Sequence, residues 1–358
     1  MKMRIPSPSL IDAAARLLRA GGLVAFPTET VYGLGANAAD PVAVRRIFEA
    51  KGRPADHPLI VHLHDPGTLD FWARDIPEKA YRLAESFWPG PLTLILKRGH
   101  APLEVTGGQD TVGLRVPDHP VALALLEAFG GGIAAPSANR FGRVSPTRAQ
   151  HVRKELKGKV DMILEGGPCR VGLESTIISL TGERAQLLRS GAIPVSALQE
   201  VLGEEFAAPT SDQGIRASGM LASHYAPNTR LEVWPLESLK RRSEELACFG
   251  VKAIAILIDR QSGAMPDKSA GSGCAHETKE GSREGIARHE NPACTALSMP
   301  VDPGDYARRL YAVLRLLDGA GYDLLLAESP PHTEDWQAVN DRLRRASCKR
   351  SEAREDMT

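Results

Sequence analysis

Apolar and polar positions along the 358-residue chain alternate between two periods. In "PSLIDAAARLLRAGG" the residues Ile11, Ala14, Leu17 and Leu18 recur at helical spacing, and the pattern stops at Gly21-Gly22. The next segment, "LVAFP", is a short apolar run suited to a buried strand. "DPVAVRRIFEAKG" repeats the helical pattern, with Asp40 placed to cap, Pro41 in the first turn and Gly52 at the exit, so Lys51 falls where a helix gives out. "PLIVHL" follows as a strand. Further strand candidates are "LTLIL", "TVGLRV", "GIAAP", "VDMILEG", "STIISL" and "AQLLRSG", with helices near 77–87, 119–129 and 146–156. The fold class is α/β, and the short hairpin-like spacings favour a mixed sheet over a purely parallel one.

Periodicity lapses after "PVSALQEVLG". The stretch "EEFAAPTSDQGIRASGMLASHYAPNTR" is rich in Gly, Ser, Pro and Ala and reads as a linker. We expect a first domain over 1–205, a linker or lid over 206–230, a second domain over 231–347 and a tail over 348–358. The second domain starts with strand "LEVWP" and a helix near 236–247, then strand "VKAIAILI" and helix "PGDYARRLYAVLRLLDGAG", and ends with strand "YDLLLAES" and helix "EDWQAVNDRLRRAS". That order gives a small three-layer unit. Residues 259–292 are polar and poor in aromatics, which suits a mobile surface insertion.

Composition narrows the function. With 42% apolar residues the chain can fill two cores. Lys plus Arg equals Asp plus Glu at 44 each, so no global field draws the chain to nucleic acid or lipid, and any anion site must be local. No apolar run approaches the about 20 residues of a membrane span, and the first residues lack a signal peptide's apolar centre. A cytoplasmic protein with no membrane partner is expected. Cys169, Cys248, Cys274, Cys294 and Cys348 are scattered, without C-x-x-C spacing, and read as reduced thiols.

The chemistry-bearing segments fall in the first domain. Neither G-x-x-x-x-G-K-[ST] nor a G-x-G-x-x-G after a strand occurs, so a nucleotide would be held by side chains. "KGRP" sets Lys51 and Arg53 at a helix exit, where a point charge and a two-pronged donor can offset a polyphosphate. "APSANRFGRVSPT" adds Ser137, Asn139, Arg143 and Ser145 at the opening of a helix, where hydroxyls and backbone N–H groups can bind phosphate. "TVGLRVPDHP" sets Arg115 among apolar neighbours, a place where a guanidinium has a carboxylate partner, from the protein or from a ligand. "GLESTIISL" offers Ser175 and Thr176, and "LLRSGAI" offers Arg189. Each segment alone has an ordinary reading as well: a solvated helix end, an N-cap loop, an internal ion pair. His62 and His64 share a sheet face with no third ligand nearby in sequence, which disfavours a metal cage. No G-x-S-x-G elbow and no Cys with a nearby His supports covalent catalysis.

Taken together, "PTETVYGLG", "KGRP" with "HPLIVHL", "WPGPLTLIL", "VGLRVPDHP", "APSANRFGRVSPT", "GLESTI" and "LLRSGAI" resemble, in order and spacing, the YrdC-like family. With "HYAP" in the linker and "AVNDRLRRA" near the C-terminus, the chain resembles the family's long two-domain form over residues 8–347. The resemblance implies a twisted mixed-sheet YrdC-like domain around a deep concave site, followed by a smaller Rossmann-like domain. It implies synthesis of threonylcarbamoyl-adenylate from L-threonine, bicarbonate or carbon dioxide, and ATP, with release of pyrophosphate. The product would serve the threonylcarbamoyladenosine modification of tRNA, passing to the tRNA threonylcarbamoyl transferase complex, with weak or no direct tRNA binding by this chain. Carried over residue by residue, the family's threonine contacts fall on Thr28, Thr30, Tyr32, His62, Arg115, Ala135 and Ser175. Its nucleotide contacts fall on Lys51, Arg53, Thr111, Ser137, Asn139, Ser145 and Arg189, with Tyr225 and Asn228 from the linker. Lys51 and Arg53 are the expected catalytic pair.

Two departures stand out. His57 replaces the family's common Asn before "PLIVH", and the usual Lys and Tyr of the linker motif are Leu221 and Ala222. Mg²⁺ would arrive on the ATP phosphates, with no protein-held metal. Two rival readings are a double-stranded RNA-binding module, suggested by the basic run Arg140, Arg143, Arg148, Arg153, Lys154, Lys157 and Lys159, and a carbamoyl transferase using carbamoyl phosphate.

Overall fold

The opening helix and strand form where their spacing places them, at Pro8–Arg19 and Val24–Phe26, in a computed structural model that describes residues 6–207, 215–221, 224–260, 288–291 and 294–348, with 288–291 and Cys294 described by backbone alone. Strand alternation sorts the side chains. Val24 and Phe26 pack with Ile11, Ala14 and Leu18 of that helix and with Leu125, Leu126 and Phe129 of helix Pro120–Phe129. Leu23 and Ala25 turn to the opposite face, where helix Pro41–Lys51 buries Val44, Ile47 and Phe48. Each such large side chain contributes about 1.5–3 kcal/mol on burial. Asp40 caps that helix by accepting from the Val42 N–H at 2.8 Å, and Gly52 ends it in the left-handed conformation (φ 61°).

Among the described residues the first sheet has ten strands. From one edge the order is Gln186–Arg189, Thr176–Ser179, Leu92–Arg98, Thr111–Arg115, Ile60–His62, Ile133–Ala134, Gly33–Asn37, Val24–Phe26 and Met162–Ile163, with Ala73–Arg74 paired to Leu92–Arg98. Three of the pairs along this order are parallel and the others antiparallel, so the sheet is mixed. Parallel register puts His62 beside Arg115.

One element departs from the sequence reading. "YGLGAN" is not among the strand candidates, yet Gly33–Asn37 is a strand, antiparallel to Val24–Phe26. Its glycines are needed for close packing rather than for a bend: a Cβ on Gly35 would lie 2.8 Å from both Ile133 Cγ2 and Phe26 Cε1.

The second sheet runs Arg230–Trp234, Leu324–Glu328, Ala253–Ile258, Cys294–Met299 and Arg288–Asn291, parallel except for the last strand. Helix Leu236–Cys248 covers one face through Leu239 and Leu246; helices Pro303–Asp318 and Gln337–Ser347 cover the other through Leu310, Leu314, Val339 and Leu343. This is the three-layer unit. Strand Arg288–Asn291 lies inside the segment read as an insertion; the rest of that segment beyond Arg260, and part of the linker, lie outside the described residues.

The two sheets share a core. Val31, Val144, Leu173 and Tyr225 pack in one cluster with Tyr306, Leu310 and Tyr311 of helix Pro303–Asp318. Cys169, buried, and Cys248, exposed, are free thiols.

Candidate active site

The site begins with register. His62 and Arg115 are paired at neighbouring strand ends, and the turn leaving Val24–Phe26 brings Thr28 and Thr30 against them. Thr28 shapes that turn itself: its hydroxyl donates to the Val31 carbonyl (2.6 Å) and accepts from the Thr30 and Val31 N–H groups (3.2 Å each). The loop after Ile133–Ala134 supplies Ala135 and Ser137, the entry to Thr176–Ser179 supplies Glu174 and Ser175, and the end of Gln186–Arg189 supplies Arg189. Arg53 follows the exit of helix Pro41–Lys51. From the linker come Ser218, Gly219, His224 and Tyr225, which close the group into a cavity of about 50 Å³.

Cations dominate it. Arg189 donates to the Ser175 carbonyl and hydroxyl (3.0 Å each) and to the Ser218 carbonyl (2.7 Å). Arg53 donates to the Pro58 carbonyl (2.9 Å) and the Ser218 hydroxyl (3.3 Å). Arg115 is 3% exposed and engages Glu29, the Thr30 hydroxyl (3.0 Å) and the Gly90 carbonyl (3.2 Å). Its carboxylate partner here is therefore a protein side chain, although a guanidinium's five N–H groups leave donors for a ligand. Burial, together with Arg53, holds the Lys51 ammonium well below the usual lysine range. Burial pushes Arg53 down to about 10 and His62 down to about 3, the latter helped by Arg115, so His62 is neutral. Burial and then Arg53, Lys51 and Arg189 depress His224 as well.

Glu174 is the buried carboxylate that lines the cavity. It accepts from Ser145 Oγ (2.6 Å), Tyr311 Oη (2.9 Å) and Arg342 Nε (2.9 Å), the last two reaching in from the second unit. Burial raises its pKa, but Arg342, Arg189 and these hydrogen bonds outweigh burial and hold it below the usual glutamate value.

Unsatisfied polar atoms collect here. Arg53, His62, His224 and Tyr225 line the cavity, and Arg53 Nε, His62 Nδ1, His224 Nδ1 and Tyr225 Oη are buried without a hydrogen-bond partner among the described residues. Each costs about 1–3 kcal/mol, a loss that a polar ligand would recover. No serine in the wall is hydrogen-bonded to a histidine, so the arrangement is one for holding anions in position rather than for covalent attack.

Of the residues expected from sequence, Thr28, Thr30, Arg53, His62, Arg115, Ala135, Ser137, Ser175, Arg189 and Tyr225 line this cavity. Others stand behind it. Tyr32 is buried, its hydroxyl donating to the Gly167 carbonyl (2.8 Å). Lys51 Nζ donates to the Ser137 and Asn139 carbonyls (2.5 Å each), and Asn139 Nδ2 ties the loop to the Arg143 carbonyl (3.0 Å). Ser145 holds Glu174. Three expected contacts lie elsewhere: His57 meets the edge of Phe141 (centroids 5.2 Å apart), Thr111 starts its strand opposite Lys97, and Asn228 donates to Asp318 (3.0 Å). Sequence reading passed over Glu29, Glu174, Ser218, Gly219, Tyr311 and Arg342. The signal for Glu29 and Glu174 was an acid inside an apolar, hydroxyl-rich run.

The basic run is partly neutralised, by ion pairs from Arg140 to Glu155 (3.2 Å), Arg153 to Glu165 (2.5 Å) and Arg143 to Asp318 (3.4 Å). It does not form a bare stripe of charge.

Comparisons with known proteins agree with this geometry. A family model for Sua5, YciO and YrdC, described as telomere recombination, matches residues 16–191, and one described as threonylcarbamoyl-AMP synthase, C-terminal domain, matches residues 193–348. The chain is 42% identical over 347 residues to threonylcarbamoyl-AMP synthase of Pyrococcus abyssi, covering 94% of each, and 39% identical over 350 residues to that of Bacillus subtilis, covering 95% of this chain and 93% of the relative. The crystal structure of P. abyssi Sua5 complexed with L-threonine superposes with a TM-score of 0.79 at 40% identity, covering 96% of both chains. With cation-rich cavity, shared core and near full-length likeness in hand, the chain belongs to the Sua5–YciO–YrdC family, in the form that carries the threonylcarbamoyl-AMP synthase C-terminal domain.

Proposed function

We propose that the protein makes threonylcarbamoyl-adenylate from L-threonine, bicarbonate or carbon dioxide, and ATP, releasing pyrophosphate, and that the product serves threonylcarbamoyladenosine formation in tRNA. The observation that carries the reading is the lining of the first cavity: Arg53, Arg115 and Arg189 converge with Thr28, Thr30, Ser137 and Ser175 in a chain 42% identical to a synthase of that name. The unprotonated threonine amine attacks the carbon of carbon dioxide and gives up a proton, or that of bicarbonate with cleavage of a C–O bond, its proton leaving with the expelled hydroxide as water, and either route yields the carbamate. The carbamate oxygen then attacks the α-phosphorus, and the bond to the β-phosphate oxygen breaks. Substrate supplies the nucleophile, so the protein needs only to place anions and offset charge.

Arg53 and Arg189 are assigned to the phosphates, with Lys51 holding the Ser137–Asn139 loop that faces them. Arg115, through its remaining N–H groups, is assigned to the threonine carboxylate. Mg²⁺ is assigned to the ATP phosphates: the wall offers cations, its carboxylate Glu174 is already engaged by Arg342, Tyr311 and Ser145, and Glu29, behind the wall, is engaged by Arg115. Mg²⁺ would supply further charge neutralisation of the leaving pyrophosphate.

The cavity, at about 50 Å³, is far below the about 300–1,000 Å³ of small-molecule sites. Ser218, Gly219, His224 and Tyr225 fill the remaining space, so the linker must withdraw for ATP to enter and can exclude water once it returns. No helix among the described residues is long and apolar enough to cross a membrane. A cytoplasmic site of action, with delivery to the transferase complex rather than direct tRNA binding, completes the reading. Isotope-labelled bicarbonate tests it: label should appear in an adenylate only when threonine and ATP are both supplied, and its absence would overturn the proposal.

A further inference from the structure

A second cavity, of about 800 Å³, opens at the seam between the two units. One wall carries Arg140, Arg143, Arg148 and Lys154, from the loop and helix that follow Ser137 and Asn139. The other carries Arg308, Arg309 and Arg315 of helix Pro303–Asp318. The acids in the lining are Glu155 and Asp318, and both are occupied. Glu155 pairs with Arg140 (3.2 Å) and Arg315 (3.1 Å); Asp318 pairs with Arg143 (3.4 Å) and accepts from Asn228 Nδ2 (3.0 Å) and the Thr229 N–H (2.7 Å). Lys154 and Arg309 have no carboxylate partner among the described residues.

The positive field reaches a neutral group. His151, in the same lining, is pushed down to about 3 by burial and then by Arg315, Arg148 and Lys154. Cations on facing walls of a concavity concentrate the field where a bound anion would meet both. The volume falls within the range of small-molecule sites, and Ala312, Val313 and Leu316 give the floor an apolar strip. A helical nucleic acid would need an open basic face instead, and Arg140 and Arg153 are drawn off to Glu155 and Glu165.

We propose that this seam cavity is a second anion site, distinct from the first cavity, that takes a small molecule carrying two or more phosphates. The shared chemistry is the phosphate chain, whether free pyrophosphate or the tail of a nucleoside polyphosphate. The site shares no residue with the first cavity, and the proposal does not depend on what the first cavity does.

Calorimetric titration of the full chain with inorganic tripolyphosphate and, separately, with ATP tests it. The wild type should bind one equivalent of tripolyphosphate that added salt strongly weakens, whether or not the first cavity takes another. Lys154→Glu with Arg309→Glu should remove that salt-sensitive equivalent, while Lys51→Ala with Arg53→Ala should retain it. The first pair should keep the wild-type circular dichroism and reaction rate; if it fails to fold, Lys154→Gln with Arg309→Gln should still weaken binding at least about tenfold. Equal affinity for ATP and tripolyphosphate assigns the site to phosphates alone, and tighter ATP binding adds the nucleoside to it. No salt-sensitive equivalent in the wild type, one indifferent to both charge changes, or tighter binding of a mixed-sequence RNA oligomer at the same residues would overturn the proposal.

Discussion

Arg342, fully buried, donates from Nε to Glu174 Oε2 at 2.9 Å across 168 residues of chain. The same guanidinium donates to the Ser190 carbonyl (3.0 Å), pairs with Asp341 (2.8 Å) and lies over the Tyr225 ring at 5.2 Å. One side chain of the last helix therefore supports the cavity wall and the segment that closes it. Removing one member of a buried pair leaves the other charged and unpaired, at a cost of about 3–5 kcal/mol.

Arg342→Ala should lower the unfolding free energy by about that amount in urea titrations. Adding Glu174→Gln should recover part of the loss, because no buried charge is then left over. A loss below about 1 kcal/mol, or no recovery in the double variant, would mean the pair is not the tie described here.

The division of labour inside the cavity has a kinetic signature. Arg53→Ala and Arg189→Ala should raise the KM for ATP and lower kcat, since both guanidinia face the proposed phosphates. Arg115→Ala, made with Glu29→Gln to avoid an orphaned carboxylate, should chiefly raise the threonine requirement, by about 2–5 kcal/mol in kcat/KM. A change confined to the ATP parameters would remove Arg115 from the amino-acid contact.

Closure depends on Gly219. It sits at φ 81°, and a Cβ there would come within 2.1 Å of Tyr225 Oη and 3.0 Å of Arg189 Nη1. Gly219→Ala should leave the fold intact but keep the linker open, so that limited proteolysis cuts within 206–230 even with ATP and threonine present. In the wild type the two ligands together should protect that stretch. Equal cleavage of both proteins under all conditions would make the linker a passive tether.

Most of the fold was legible because local signals agreed with burial. The capped helix Pro41–Lys51 and the alternating strands of both sheets announce themselves in the spacing of Ile47, Phe48, Val24 and Phe26. Gly33–Asn37 did not, because its strand character comes from pairing with Val24–Phe26 and packing on Ile133, neither visible locally. The site shows the same divide. Arg115 stood out as a cation among apolar neighbours, Arg53 in "KGRP" at a helix exit and Arg189 in "LLRSGAI", while Arg342 and Tyr311 act through Glu174, to which nothing in their own neighbourhood points. Asn228 was legible as part of a motif, but its partner is Asp318, on a helix 90 residues further along.

Stability should respond to mild acid. His62 and His151 are held down at about 3 and His224 well below its usual value, so all three stay neutral in the folded protein. Unfolded histidines titrate near about 6.5, so below that pH the unfolded chain binds more protons than the folded one. Their contribution is complete above about pH 6.5 and declines as pH falls, by up to about 1.4 kcal/mol per pH unit for each histidine. Between about pH 6.5 and 5, above the range where carboxylates titrate, unfolding free energies should fall steeply, and His151→Gln should reduce the slope by one proton. A flat profile over that window would contradict the neutral assignment.

The central claim is that the cavity joins threonine, inorganic carbon and ATP in one reaction. Pyrophosphate release by the purified chain, with each component omitted in turn, tests it most directly. The account predicts release only when L-threonine, bicarbonate, ATP and Mg²⁺ are all present, with one threonylcarbamoyl-adenylate formed per pyrophosphate. Pyrophosphate released at the same rate without threonine would contradict it.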